Sequence, residues 1–129
     1  MVTAKRLGKP YCVEITNGRS VVLSDTQKEG KGGTAGMRPH ELLESALAAC
    51  VCMSIDMAAE RAAVTLPEGT VDLAIERLDH ETGFAVTLSF AAALTVAQQD
   101  LVRGAAQSSP VARTLGKAVR VRPAMIPVA

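Results

Sequence analysis

The residues best suited to chemistry in this chain are sulfur nucleophiles. Two of its three cysteines, Cys50 and Cys52, lie in the stretch ELLESALAACVCMSIDMAAERA at positions 41–62, and the third, Cys12, lies far upstream. Three chemistries are open to such a set: a disulfide, a metal centre or a reactive thiolate. On a helix, residues two apart point about 200° away from each other, so Cys50 and Cys52 cannot bridge without unwinding that turn. A thioredoxin-type pair would be C-x-x-C at a helix start, which this is not. A C-x-C metal site would need further soft ligands, and Cys12, His40 and His80 show no ligand spacing. No metal and no cofactor is therefore expected. Cys50 as a small buried hydrophobe is the commonplace alternative to Cys50 as a nucleophile. A nucleophile needs a cation or hydrogen-bond donors to favour its thiolate, and mid-helix offers no free backbone N–H. The donors must come from elsewhere in the fold or from another chain. Arg19, Arg38 and Arg113 are the cationic candidates, and periodicity does not choose among them.

The elements that must position these groups can be read from pattern. Residues 10–25 read as two strands around a turn. Val13 and Ile15 alternate with polar neighbours, and Asn17-Gly18 is a strong hairpin signal before Val21–Leu23. Residues 26–38, TQKEGKGGTAGMR, read as a flexible connector and not as a phosphate cradle, because no Lys-Ser or Lys-Thr follows the glycines. A long helix starts at Pro39, with Glu41 and Glu44 at the positive end of its dipole. Leu43, Leu47, Cys50, Met53 and Met57 recur at helical spacing and predict the buried stripe. Pro67-Glu68-Gly69 stops that run. Residues 70–78 and 84–94 read as a second hairpin. Thr95 caps a second helix with Gln98 three residues on, Pro110 interrupts it, and Val119–Val121 reads as a last short strand. The order is hairpin, helix, hairpin, helix, strand, which is an α+β pattern in a single domain over residues 1–129.

The totals narrow the function classes. A formal net charge of +1 gives no broad attraction to nucleic acid or to a membrane surface. The composition, 48% hydrophobic and 21% charged, is that of a folded protein. Aromatics are limited to Tyr11, Phe84 and Phe90, so the core is built from small aliphatic side chains. These bury little area each, which makes burial between copies attractive. MVTAKRLGKPY lacks the apolar segment of a signal peptide, and Glu44 and Asp56 interrupt the apolar run of the long helix. An odd number of cysteines fits a reducing, cytoplasmic location.

With those elements in place the chain resembles the OsmC/Ohr family, the osmotically induced and organic hydroperoxide resistance proteins, from about Tyr11 to Val121. The landmarks are Asn17-Gly18, Ser24-Asp25, Gly32-Gly33, RPHELLESALAACVCMSIDMAAER and SSPVARTLGKAVRV. The resemblance implies an intertwined homodimer in which antiparallel sheets wrap long central helices, with a thiol site at the dimer interface. It also implies reduction of organic hydroperoxides by a reactive cysteine that becomes a sulfenic acid, is resolved as a disulfide by a second cysteine and is restored by a dithiol. Cys50 aligns with the reactive cysteine; Cys52 has no counterpart and is read as packing.

The chain departs from the pattern in two places. Ser109 occupies the resolving position before Pro110-Val111, and a serine cannot form a disulfide. His40 follows the helix-starting Pro39 where the peroxidases carry a glutamate, and Glu41 comes one residue later, turned by about 100°. The reading carried forward is a single-cysteine hydroperoxide reductase. Cys50 is its nucleophile, Arg19 (or Arg38) the activating cation, and Glu41 or His40 the group orienting that cation. An external thiol, or Cys12, takes the place of the missing Ser109 thiol. The alternative is a non-catalytic dimer on the same fold that binds a small apolar ligand or has a stress-associated role.

Overall fold

A computed structural model describes residues 1–128. Val13–Thr16 (β2) and Val21–Ser24 (β3) pair antiparallel with Thr16 opposite Val21. Their turn is centred one residue later than the Asn17-Gly18 signal suggests. The Asn17 side chain accepts the backbone N–H groups of Arg19 and Ser20 at 2.9 and 2.8 Å, and Gly18 takes φ +95°, a conformation glycine adopts without a Cβ penalty. A third strand, Thr3–Arg6 (β1), adds to β2 with Thr3 opposite Thr16. Its sequence, TAKR, carries no alternation and gave no strand signal.

The chain forms two compact units. The first comprises Met1–Ala46 and Leu73–Val86, the second Leu47–Asp72 and Thr87 onward. Within the first, the segment expected as a flexible connector is an ordered structure built on Asp25. Gln27–Lys28 (β4) and Lys31–Gly32 (β5) form a small hairpin. The buried Asp25 carboxylate accepts backbone N–H groups from Thr26 at 2.8 Å, Ala35 at 3.1 Å and Gly33 at 3.3 Å. Gly32 has φ +90°, and a Cβ there would collide with the Thr26 carbonyl. Gly32 and Gly36, two of the glycines that suggested looseness, are thus required for close backbone approach.

The helix Pro39–Arg61 (α1) begins where Pro39 predicts. By length and composition alone it could cross a membrane. Its buried residues are Leu47, Val51, Ile55 and Ala59, in steps of four. This corrects the expected stripe: Leu43, Met53 and Met57 are exposed in the single chain, and Cys50 is half-buried at the edge of the buried line. Apolar residues surround the helix, so periodicity could not select the buried side.

Gly69–Arg77 (β6) and Thr82–Phe90 (β7) form the second hairpin, with Val71, Leu73 and Ile75 half-buried between exposed neighbours. β7 ends at Phe90, four residues earlier than expected, where the Ala91 amide donates to Glu68 O at 2.7 Å. Val96–Gln107 (α2) carries the capping box read from sequence: Gln98 N donates to Thr95 Oγ1 at 3.1 Å and Thr95 N to Gln98 Oε1 at 2.8 Å. Pro110–Leu115 (α3) is a separate short helix capped by Ser109. Residues 119–121 are not a strand. No strand among the described residues pairs with them, and Val121 is 94% exposed. The α+β class with antiparallel sheets and a long central helix stands as expected.

Candidate functional site

Cys50 sits in the middle of α1, within the second unit, and its sulfur receives a hydrogen bond from a distant part of the chain. The backbone N–H of Val111 donates to Cys50 Sγ at 3.5 Å. The reason lies in how α3 begins. The first amides of a helix have no intrahelical acceptor. Pro110, at the first helical position, has no N–H to satisfy. Ala112 N donates to Ser109 Oγ at 3.2 Å, and Arg113 N to Ser109 O at 3.0 Å. The remaining orphan, Val111 N, goes to the thiol. Every N–H of the first turn therefore has an assigned acceptor, and the Cys50 sulfur is one of them. Sequence reasoning required a donor from outside α1 but could not find Val111, which lies 61 positions away and contributes only its backbone.

Ser109, nominated because it replaces a cysteine, is fully buried with 0% exposure. Its side chain caps α3. Arg113, the third cationic candidate, lies in the last turn of α3 and its backbone, not its guanidinium, is engaged there.

The other nominated residues belong to the first unit. Arg38 Nε and Glu41 Oε1 form an ion pair at 2.9 Å, and the same oxygen accepts the Arg38 backbone N–H at 3.1 Å. Arg38 stands at the position before the first helical residue and Glu41 at the third helical position, so Glu41 performs the reciprocal half of a capping box. The Arg38 guanidinium, with its amide, holds the Glu41 carboxyl below the ordinary carboxylate range. The guanidinium beside Glu41 is therefore Arg38's and not that of Arg19. Arg19 lies in the β2–β3 turn, and its side chain has no hydrogen-bond or ion-pair partner among the described residues. His40 shares a cavity of about 560 Å³ with Lys28, Arg38, Glu41 and Arg77. Glu44, one turn along from His40, accepts the Ile75 N–H of β6 at 2.8 Å and ties helix to hairpin. Asp25 is held below the ordinary carboxylate range chiefly by the Ala35 amide, against the opposing effect of burial, with help from the Thr26 and Gly33 amides.

All three thiols are free. Cys12 is buried in the first unit. Cys52, expected to pack, is exposed and lines a cavity of about 540 Å³ with Ile55, Leu66, Val71 and Phe90. The two-residue offset from Cys50 turns it to another side of α1. No cluster of three or more metal-ligating side chains occurs among the described residues.

A three-stranded N-terminal sheet, a long helix with a mid-helix thiol and a second hairpin followed by two helices define the OsmC-like fold, and solved structures share it. A Psychrobacter arcticus protein assigned to the osmotic stress and detoxification response is 16% identical, with a TM-score of 0.71 over 88% of this chain and 85% of that one. The organic hydroperoxide resistance protein OsmC of Legionella pneumophila is 19% identical, with a TM-score of 0.64 over 88% and 86%. The organic hydroperoxide resistance protein OhrB of Bacillus subtilis is 16% identical, with a TM-score of 0.62 over 88% and 87%. At these identities the likeness is one of fold. No curated protein matches the chain. The sequence model of the OsmC-like protein family matches residues 30–123, most of the chain, and the chain belongs to that family.

Proposed function

We propose that this protein is a single-cysteine, thiol-dependent reductase of organic hydroperoxides, with Cys50 as its nucleophile. The observation that carries the reading is the Val111 N–H donated to Cys50 Sγ, which supplies a half-buried thiol with the donor a thiolate requires. The Cys50 thiolate attacks one peroxide oxygen. The O–O bond breaks, an S–O bond forms, and the second oxygen leaves as alkoxide and takes a proton to become an alcohol. Sulfur is oxidised by two electrons to the sulfenic acid. An external thiol attacks that sulfur and releases water. A second thiol then frees Cys50 and leaves as the external disulfide. Glu41 is assigned to helix capping and to holding Arg38.

The exposed Leu43, Met53 and Met57 support assembly as a homodimer, in which that side of α1 is covered. Three free thiols, which persist in a reducing compartment, support a cytoplasmic location.

The test is intact mass after cumene hydroperoxide, with and without a sulfenic-acid trap, on the wild type and on Cys50→Ser. A trapped adduct that forms rapidly and is absent from Cys50→Ser is the expected result. An unmodified Cys50 at millimolar peroxide would sink the reading. A second reading, a non-catalytic dimer binding a small apolar ligand, is favoured by the cavity beside Cys52, where apolar Ile55, Leu66, Val71 and Phe90 share the lining with the acidic Asp56, Glu60 and Glu68. It predicts that unmodified result together with protection of Cys52 from alkylation by long-chain alcohols.

A further inference from the structure

We infer that Ser109 is a positioning residue for the Cys50 thiol: its buried hydroxyl fixes the start of α3 so that the Val111 N–H is presented to Cys50 Sγ. The inference rests on the reading of Cys50 as the reactive group. It gives a role to a residue that otherwise marks only a missing thiol.

Three observations converge on it. Ser109 has no exposed surface, so its hydroxyl is not held there by solvent. Its Oγ accepts from Ala112, one residue after the donor to Cys50. Pro110 fixes its own φ between the cap and Val111, and the cap bond to Ala112 restrains the Pro110 ψ on which the direction of the Val111 N–H then depends. A helix start without its cap frays, and the amide that loses definition first is the orphan at the second helical position. That amide is Val111's. The serine thus acts on the thiol through two backbone units and a proline, without touching it in the hydrogen-bond network.

The sign of the expected effect separates positioning from mere support. If Ser109 only helped the fold, removing its hydroxyl would loosen the site, expose Cys50 and speed its alkylation. If Ser109 aims a donor at the sulfur, removing it withdraws stabilisation from the thiolate. A hydrogen bond to a charged group is stronger than one to a neutral group, so withdrawing the donor costs the attacking sulfur anion more than the thiol. The intrinsic nucleophilicity of the sulfur rises in partial compensation, by about threefold for a tenfold loss of thiolate. The net is a slowing of about threefold at neutral pH.

The experiment is iodoacetamide labelling of the full chain, read by peptide mapping so that Cys50 and the exposed Cys52 are timed in the same sample. Cys52 is the internal reference. Ser109→Ala should slow Cys50 relative to Cys52 by about threefold, and exchange of the Val111 amide should accelerate. Ser109→Thr, which keeps a capping hydroxyl, should restore both. An unchanged or faster Cys50 in Ser109→Ala would overturn the proposal, as would failure of Ser109→Thr to restore a slowed thiol while remaining folded. The labelling needs no peroxide. Loss of the peroxidase reading and loss of the positioning role therefore give different results.

Discussion

The thiol neighbourhood and the carboxylate neighbourhood are built on opposite principles. Around Cys50 the hydrogen-bond donor is a neutral backbone N–H at 3.5 Å, delivered by a six-residue helix. Around Asp25 and Glu41 an acid gathers several donors at once: three amides on Asp25, and an amide plus a guanidinium on Glu41. A sulfur that is to attack a substrate must keep lone pairs uncommitted, and a single hydrogen bond leaves them so. A carboxylate that is to freeze a glycine-rich loop must commit its lone pairs, and three amides shared over both Asp25 oxygens do that. Glu41 is on the committed side of this divide: its Oε1 accepts both the Arg38 amide and the Arg38 guanidinium, and it caps the start of α1.

The sharpest way to break the contrast is Ser109→Cys. A thiol at the cap should condense with the Cys50 sulfenic acid, so peroxide-treated protein should lose two hydrogen masses instead of accumulating a trappable adduct. Persistence of the adduct would mean that position 109 is not within resolving reach. Next is Asp25→Ala, which strips the acceptor from three amides. It should lower the melting temperature far more than Ser109→Ala does, since the latter leaves one amide without its acceptor.

The acid limb of the stability curve follows from the same carboxylates. Asp25 and Glu41 both titrate below their ordinary values in the folded chain. The unfolded chain therefore binds more protons as pH falls. The stability these groups contribute is present above the ordinary carboxylate range, roughly pH 4, and is lost as pH drops through their folded values. Urea melts between about pH 6 and pH 3 should show that decline, with a shallower slope in Asp25→Asn. The smallest effect is expected from Glu41→Gln. Its partner's side chain is 66% exposed, the amide oxygen of Gln can still accept from Arg38 N, and salt screens what remains. A large stability loss that persists at high salt would show that Glu41 does more than cap α1.

Local signals were legible where the physics is local. Pro39 at a helix start and Thr95 with Gln98 at the next were readable because a cap is decided within four residues. The side of α1 that is buried was not, because Leu43, Met53 and Met57 compete with Val51 and Ile55 in any pattern of apolar spacing. The segment 119–121 alternates as a strand does, but a strand exists only when a partner edge is supplied, and alternation does not name one. Within the site, resemblance singled out Cys50 and its own exception singled out Ser109. The link between them runs through Val111, and a backbone amide leaves no trace in side-chain chemistry.

The cap at position 109 has a consequence in mutational terms. Serine and cysteine differ by one atom, oxygen for sulfur, and their codons can interconvert by a single base. Both side chains offer a lone pair to the amide at the third helical position, so α3 can start from either. With Cys50 as the nucleophile proposed above, a lineage can thus pass between a self-resolving pair of thiols and one served from outside without rebuilding the helix that holds the donor. Each such passage exchanges one dependency for another: on an internal partner that must stay reduced, or on a cellular thiol pool that must arrive before a second peroxide does.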